Sequence, residues 1–332
     1  MRAMVLHAPA PVETEPLRLE ERPTPEPGPR EVLVAVEACG VCRTDLHVVE
    51  GDLPPRRDSV VPGHQIVGRV AKRGPEARRF AEGARVGVAW LRWTCGRCRY
   101  CASGRENLCP ESRYTGYHED GGYAEFAVVQ EDYAYALPET LGAEEITPLL
   151  CAGIIGYRAL KRAEIRPGEA VGFYGFGASA HIAIQVARHL GCRVYVVTRD
   201  PGHRELARKL GAVWTGGLEE KPPVRFSSAV LFAPAGNLVP AALEALEPGG
   251  TLSIAGIYLT PVPPLDYERH LFHERNVRSV TANTREDGSE LLRLAAEIPI
   301  RPETVVFRLE DANRALRQLK TDGLRGAGVL VP

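Results

Sequence analysis

The residues with the most legible chemistry are thiols. Eight cysteines stand at positions 39, 42, 95, 98, 101, 109, 151 and 192, and four of them form Cys95-x2-Cys98-x2-Cys101-x7-Cys109. Close C-x-x-C spacing in reduced thiols suits tetrahedral thiolate coordination better than a disulfide. Four thiolates fill every position around a zinc ion, so such a structural site ties down a loop and leaves no place for a substrate. A redox pair or an iron–sulfur cluster draws on the same residue type, although the uneven last interval suits neither.

The remaining cysteines need partners. Cys42 lies in Gly40-Val41-Cys42-Arg43-Thr44-Asp45-Leu46-His47, at the end of a predicted strand and among polar neighbours. A second polar motif, Pro62-Gly63-His64-Gln65, interrupts an apolar run in the same region. Cys151, in Leu149-Leu150-Cys151-Ala152-Gly153, stands near the start of a predicted helix, whose dipole favours a thiolate. Two cysteines and one histidine make three ligands for a catalytic zinc with a fourth position open. Spacing alone equally allows three ordinary buried side chains, because the three are spread over a third of the chain.

A different chemistry is suggested by Gly175-Phe176-Gly177-Ala178-Ser179-Ala180, which follows a predicted strand and opens a predicted helix. Glycines there permit a tight turn and bring backbone N–H groups close to a pyrophosphate. The next strand, Val194 to Val197, is followed by Thr198 and Arg199, where an NAD site carries an acidic residue for the ribose 2′-OH. A neutral hydroxyl beside a guanidinium favours NADP(H) over NAD(H), with His203 and Arg204 as helpers. The competing reading is that Arg199 closes the strand end and Asp200 takes the ribose.

These groups must be held by suitable elements. The segment Glu31 to Cys39, EVLVAVEAC, has the valine-rich alternation of a strand, and recurrent Gly and Pro punctuate short strands through residue 150. Beyond Cys151 apolar strand-like runs alternate with amphipathic stretches at Ala178–Leu190, Pro201–Leu210 and Leu238–Leu246. That alternation predicts an α/β fold in which a doubly wound parallel sheet follows a β-rich first domain. The last segment, with VVFRL, a helix-like Glu310 to Lys320 and GAGVLVP, lacks a nucleotide motif and is expected to rejoin the first domain. The expected boundaries are 1–151 with 286–332 for the β-rich domain and 152–285 for the cofactor domain.

The 332 residues are 44% hydrophobic and 25% charged, with 41 basic against 42 acidic side chains. A net charge of -1 gives no general electrostatic reason to bind nucleic acid or an anionic membrane. The N-terminus does not read as a secretory signal, and no run of 18 apolar residues occurs, so a cytoplasmic address is expected.

Taken together, GVCRTDLH, PGHQIVG, the four-cysteine loop, LLCAGIIGYRAL and GFGASA occur in an order and at intervals that resemble the zinc-dependent alcohol dehydrogenases of the medium-chain dehydrogenase/reductase superfamily. The resemblance covers nearly the whole chain. It implies a GroES-like catalytic domain interrupted by a Rossmann domain, two zinc ions per chain, a small alcohol or aldehyde substrate, and a homodimer or homotetramer. By the same resemblance, Cys42, His64 and Cys151 hold the catalytic zinc and Cys95, Cys98, Cys101 and Cys109 the structural one. Thr44 takes the alcohol proton, His47 passes it to the surface, Asp45 orients His64, and Arg43 reaches the pyrophosphate. Trp90 resembles the aromatic residue that narrows the pocket for small alcohols. Gln65 departs from the Glu that follows the ligand histidine in most zinc members, which removes a negative charge behind the metal. A zinc-independent quinone or enoyl reductase, a polyol dehydrogenase and a non-catalytic NADPH-binding redox sensor are the alternatives.

Overall fold

The computed structural model describes every residue except Pro299, Asp322 and Arg325. The chain divides into two compact units, one of Met1–Cys151, Ala282–Ala296 and Arg301–Pro332, the other of Ala152–Thr281 and Glu297–Ile300.

In the first unit, β1 (Arg2–Leu6) pairs antiparallel with β2 (Leu17–Glu21). The strand β3 (Glu31–Val41) then runs into helix α1 (Arg43–Glu50). Next come β4 (Gln65–Arg73), β5 (Arg85–Val88), β6 (Leu91–Trp93), β7 (Arg113–Tyr114), β8 (Phe126–Gln130), β9 (Ala134–Ala136) and the short helix α2 (Ala143–Ile146). The long strand β3 is the hub. It pairs antiparallel with β4 on one edge and with β8 and the C-terminal strand of the chain on the other, so its side chains are buried along most of its length.

The second unit opens with α3 (Ala152–Ala163), β10 (Ala170–Tyr174) and α4 (Ala178–His189). It continues through β11 (Arg193–Val197), α5 (Pro201–Lys209), β12 (Trp214–Gly216), β13 (Phe226–Leu231), α6 (Leu238–Glu244), β14 (Leu246–Ile254), α7 (Tyr267–His270) and β15 (Asn276–Ser279). These strands form one parallel sheet in the order β12-β11-β10-β13-β14-β15. Every residue of β10 is buried, as a central parallel strand with both faces covered requires. The order reverses between β10 and β13, and ligands of doubly wound sheets bind beyond the carboxyl ends of strands at such a reversal.

The chain then returns. Helix α8 (Arg285–Glu297) leads to β16 (Thr304–Arg308), α9 (Ala312–Lys320) and β17 (Ala327–Val331). Strand β17 lies between β16 and β3 in the seven-stranded sheet. Phe307, Leu309, Ala312, Ala315, Leu316 and Leu330 accordingly enter one apolar core with Met4, Val34, Ile66 and Val86. A separate core under the parallel sheet gathers Tyr174, Phe226, Leu231, Leu243 and Leu252. Among the described residues no helix is long and apolar enough to cross a membrane.

Candidate metal centres and cofactor cradle

Two clusters of ligating side chains occur among the described residues, both in the first unit, and in each the ligand atoms lie within 4.8 Å of one another. The first is the cysteine loop between β6 and β7. Its sulfurs are separated by 3.5 Å (Cys98–Cys101), 3.6 Å (Cys95–Cys109) and 4.0 Å (Cys95–Cys101). Zinc–sulfur bonds of about 2.3 Å at tetrahedral angles place neighbouring sulfurs about 3.8 Å apart, so the loop is shaped for one ion. All eight cysteines are free thiols, and none of these separations is near the roughly 2.05 Å of a disulfide. Backbone N–H donation from Cys101 draws the Cys98 thiol down to about 7, whereas burial pushes Cys109 up to about 11.

The loop is fastened at a point that its spacing does not announce. Glu106, 5% exposed and lying between the third and fourth cysteines, accepts hydrogen bonds from the backbone N of Arg285 (3.0 Å) and from its Nε (3.3 Å). Its carboxylate thus meets the N-terminus of α8, where anionic groups are favoured. A Glu inside a polar loop carries no local sign of a partner 179 residues away.

The second cluster assembles where β3 and β4 meet. Gly40 and Gln65 are register partners, which brings Cys42, just past the end of β3, beside His64, just before the start of β4. Cys151 follows the helical turn Thr147–Leu150 and immediately precedes α3. Cys42 Sγ lies 3.4 Å from His64 Nε2 and 3.8 Å from Cys151 Sγ. A shared zinc ion would put these pairs about 3.6 and 3.8 Å apart. The donor set fits zinc, and it supplies three ligands where the loop supplies four.

Asp45 fixes the histidine. Its Oδ1 accepts from His64 Nδ1 at 3.0 Å, and its Oδ2 accepts from the backbone N of Cys42 at 2.9 Å. One buried carboxylate therefore holds two ligands, leaving Nε2 of His64 directed at the sulfurs. In the metal-free protein burial lowers the His64 pKa, but the charges of Asp45 and Cys42 outweigh it and hold the imidazole up to about 10. The Cys42 thiol is raised by its hydrogen bond to Cys151 and by burial. Metal binding must displace such protons, which makes loading dependent on pH. Gly63, immediately before His64, has φ +97, and a Cβ there would stand 2.4 Å from the Tyr123 ring. Only glycine satisfies both demands at once.

Other expected residues surround this cluster. Thr44 and His47 share α1 three residues apart, which places them on one helical side, and His47 Nδ1 lies 2.7 Å from Asp52 Oδ2. Arg43 is the exposed first residue of the same helix. The Trp90 ring meets His64 edge-on at 5.0 Å and stacks on Tyr114 at 4.9 Å and Tyr117 at 6.0 Å. The Tyr117 hydroxyl donates to Pro54 O (2.8 Å) and accepts from Arg56 Nε (3.1 Å), so the indole is braced from behind. The two tyrosines were not foreseeable from sequence, since their partner lies more than 20 residues earlier in the chain. Gln65 is 3% exposed, and its Nε2 finds no hydrogen-bond partner among the described residues.

The glycine turn lies in the second unit. Gly175 follows β10 at φ +89, and a Cβ there would stand 2.8 Å from Ala233 N. Gly177 is the N-cap of α4, and a Cβ on it would meet nothing within 4 Å. With Ala178 opening the helix, the first turn of α4 directly follows the glycine turn, and the first N–H groups of an α-helix have no intrahelical partner, which is what a pyrophosphate cradle needs. At the end of β11, Thr198 is buried and Arg199 exposed. Asp200 is engaged as the N-cap of α5, its Oδ1 accepting from His203 N at 2.7 Å.

Comparison with known proteins agrees with this geometry. Residues 28–139 match the alcohol dehydrogenase GroES-like domain, and residues 180–297 match the zinc-binding dehydrogenase family. The chain is 51% identical over 336 residues to the probable alcohol dehydrogenase AdhA of Mycobacterium tuberculosis, covering 100% of this chain and 97% of that one. A cobalt- and zinc-bound thermostable alcohol dehydrogenase from Pyrobaculum aerophilum superimposes with a TM-score of 0.89 at 29% identity, covering 100% of this chain and 99% of the other. A zinc-binding dehydrogenase from Sinorhizobium meliloti bound to NADP gives 0.85 at 27% identity, with coverage of 100% and 99%. The β-rich unit with its two clusters of ligating side chains, the parallel-sheet unit with its glycine turn and these likenesses together show that the chain belongs to the zinc-dependent alcohol dehydrogenases of the medium-chain dehydrogenase/reductase superfamily.

Proposed function

We propose that this alcohol dehydrogenase moves a hydride between a small or medium-sized alcohol or carbonyl compound and NADP(H), with two zinc ions per chain. The first unit is read as the catalytic domain and the second as the cofactor domain. The observation that carries the reading is the convergence of Cys42 Sγ, His64 Nε2 and Cys151 Sγ from three separate stretches of chain. The chemistry the metal supplies there is Lewis-acid polarisation of the substrate oxygen.

The remaining work falls to the chain's own residues. Asp45 keeps the His64 imidazole in one tautomer and orientation. The Thr44 hydroxyl is assigned to take the alcohol proton and the His47 imidazole, backed by Asp52, to deliver it to solvent. Trp90 is assigned as the pocket wall beside His64. Cys95, Cys98, Cys101 and Cys109 hold the structural ion, and Glu106 transmits that order to α8.

Gly175, Gly177 and Ala178 are assigned to the pyrophosphate, together with Arg43, and Thr198 with Arg199 to the adenosine ribose. The engagement of Asp200 as a helix cap supports NADP(H), since that carboxylate is spoken for and a cation stands exposed beside it. Among the described residues strand β15 pairs only with β14, and Ile257 and Tyr258, shortly after the end of β14, are exposed at 64% and 61%. An open sheet edge and exposed apolar side chains in the same unit support a homodimer or homotetramer. Eight free thiols, most of them in metal clusters, support a reducing compartment such as the cytoplasm. The test is oxidation of NADPH and of NADH against a panel of aldehydes and ketones. NADPH-dependent reduction supports the reading; consumption of neither cofactor with any carbonyl compound would overturn it.

A further inference from the structure

The loop after β12 reaches back to the end of β11, and it does so with a charge. Arg204, in the first turns of α5, folds toward the strand end, where its Nε donates to Thr198 O at 2.8 Å and its Nη2 to Arg199 O at 3.3 Å. Two backbone carbonyls therefore fix the guanidinium plane before any ligand arrives. Its remaining arm, Nη1, faces Glu220 Oε1 at 3.5 Å, and the same oxygen accepts from Gly217 N at 2.8 Å. A Cβ on Gly217 would stand 3.1 Å from Arg204 Nη2, so this glycine leaves room for the guanidinium to approach the loop. Asp200, the other carboxylate at this strand end, is committed to the first turn of α5.

We infer that Glu220 is the resident counter-ion of Arg204, a carboxylate that a 2′-phosphate must displace to reach this guanidinium. The inference rests on the NADP(H) reading above. A pre-fixed guanidinium suits a phosphate, which it can grip through two parallel N–H groups. Glu220 opposes that grip twice, by holding Nη1 and by repelling a dianion brought beside it. It thereby sets how strongly this chain discriminates between the phosphorylated and unphosphorylated dinucleotides. Its bond to Gly217 shapes the loop independently, and a neutral amide could keep that bond.

Isothermal titration of NADPH and NADH into the purified holoenzyme, with thermal melts as a folding check, tests the idea on three variants. Glu220→Gln keeps an acceptor for Gly217 N–H, and it is expected to tighten NADPH by about five-fold, the upper range of an exposed ion pair, with NADH unchanged. Arg204→Gln is expected to weaken NADPH by roughly ten-fold or more, again sparing NADH. Arg199→Ala reports on the parent reading. If wild type prefers NADH and Arg199→Ala alters neither cofactor, that reading fails and the inference falls with it. If Arg199→Ala weakens NADPH while Glu220→Gln and Arg204→Gln change nothing, the NADP(H) reading stands and the inference alone is overturned.

Discussion

Replacing Asp45 by Asn removes one charge from a site where a single carboxylate holds two of the three proposed zinc ligands. Its two oxygens accept from His64 Nδ1 at 3.0 Å and from Cys42 N at 2.9 Å, and the residue is 2% exposed. An amide has one acceptor, so whichever N–H it keeps, its NH2 group points at the other donor. The loss is at least one charge-assisted hydrogen bond, about 1.5–3 kcal/mol. At 1.4 kcal/mol per decade that is roughly a ten- to hundred-fold weakening of zinc, the range found for groups that orient ligating histidines. The cysteine loop provides an internal reference, since none of its ligands touches Asp45 in the hydrogen bonds above. Titration with a chromogenic chelator should show two zinc pools in wild type. In Asp45→Asn only the pool held by Cys42, His64 and Cys151 should weaken. Two unchanged pools, or selective loss from the loop, would refute the reasoning.

Other consequences follow from the same geometry. Cys98→Ser should remove one zinc per chain and lower the melting temperature, because a structural ion contributes folding free energy; an unchanged melt would detach the loop from stability. Glu106→Gln should cost about 1–3 kcal/mol in denaturant unfolding, the penalty of weakening a buried charged acceptor at the start of α8, and a change under half of that would mean that Arg285 finds another partner. Gln65→Glu should change turnover while zinc stays at two per chain, and unchanged kinetics would remove any mechanistic role for this position. Hydrogen bonding from the His203 backbone N lowers the Asp200 pKa, so its capping contribution, about 1 kcal/mol, is present at neutral pH and fades as the pH falls below about 4. Asp200→Ala should therefore lower the urea midpoint at pH 7, with a gap that narrows on acidification; a gap that widens would contradict the assignment.

How much of this could be read from sequence depended on whether the information was local. The cysteine loop and the Gly175–Ala178 turn are compact motifs: the four sulfurs converge within 4.8 Å of one another, and Gly177 caps the start of α4. Helix α4 begins at Ala178 as the apolar pattern indicates, and β17 joins β3 as the C-terminal texture suggests. The three-ligand centre is another matter. Cys42 and His64 meet only because Gly40 and Gln65 are register partners, and no periodicity in either strand encodes that register. That grouping is implied by the resemblance and not by spacing. Glu106, the stack of Tyr114 and Tyr117 on Trp90, and the hold of Glu220 on Arg204 escaped notice for the same reason. Each is a polar or aromatic residue in a loop whose partner is fixed by tertiary structure. Asp200 was legible as a candidate ribose ligand, but its position before Pro201 equally fits a helix cap, and the structure uses it so.

The most direct test of the central claim is zinc content by elemental analysis of wild type and Cys42→Ala, measured alongside NADPH-dependent aldehyde reduction on the same samples. The account predicts two zinc ions per chain and turnover in wild type, and one zinc with turnover abolished in Cys42→Ala. A wild-type chain with a single zinc that Cys42→Ala retains, together with its activity, would contradict it.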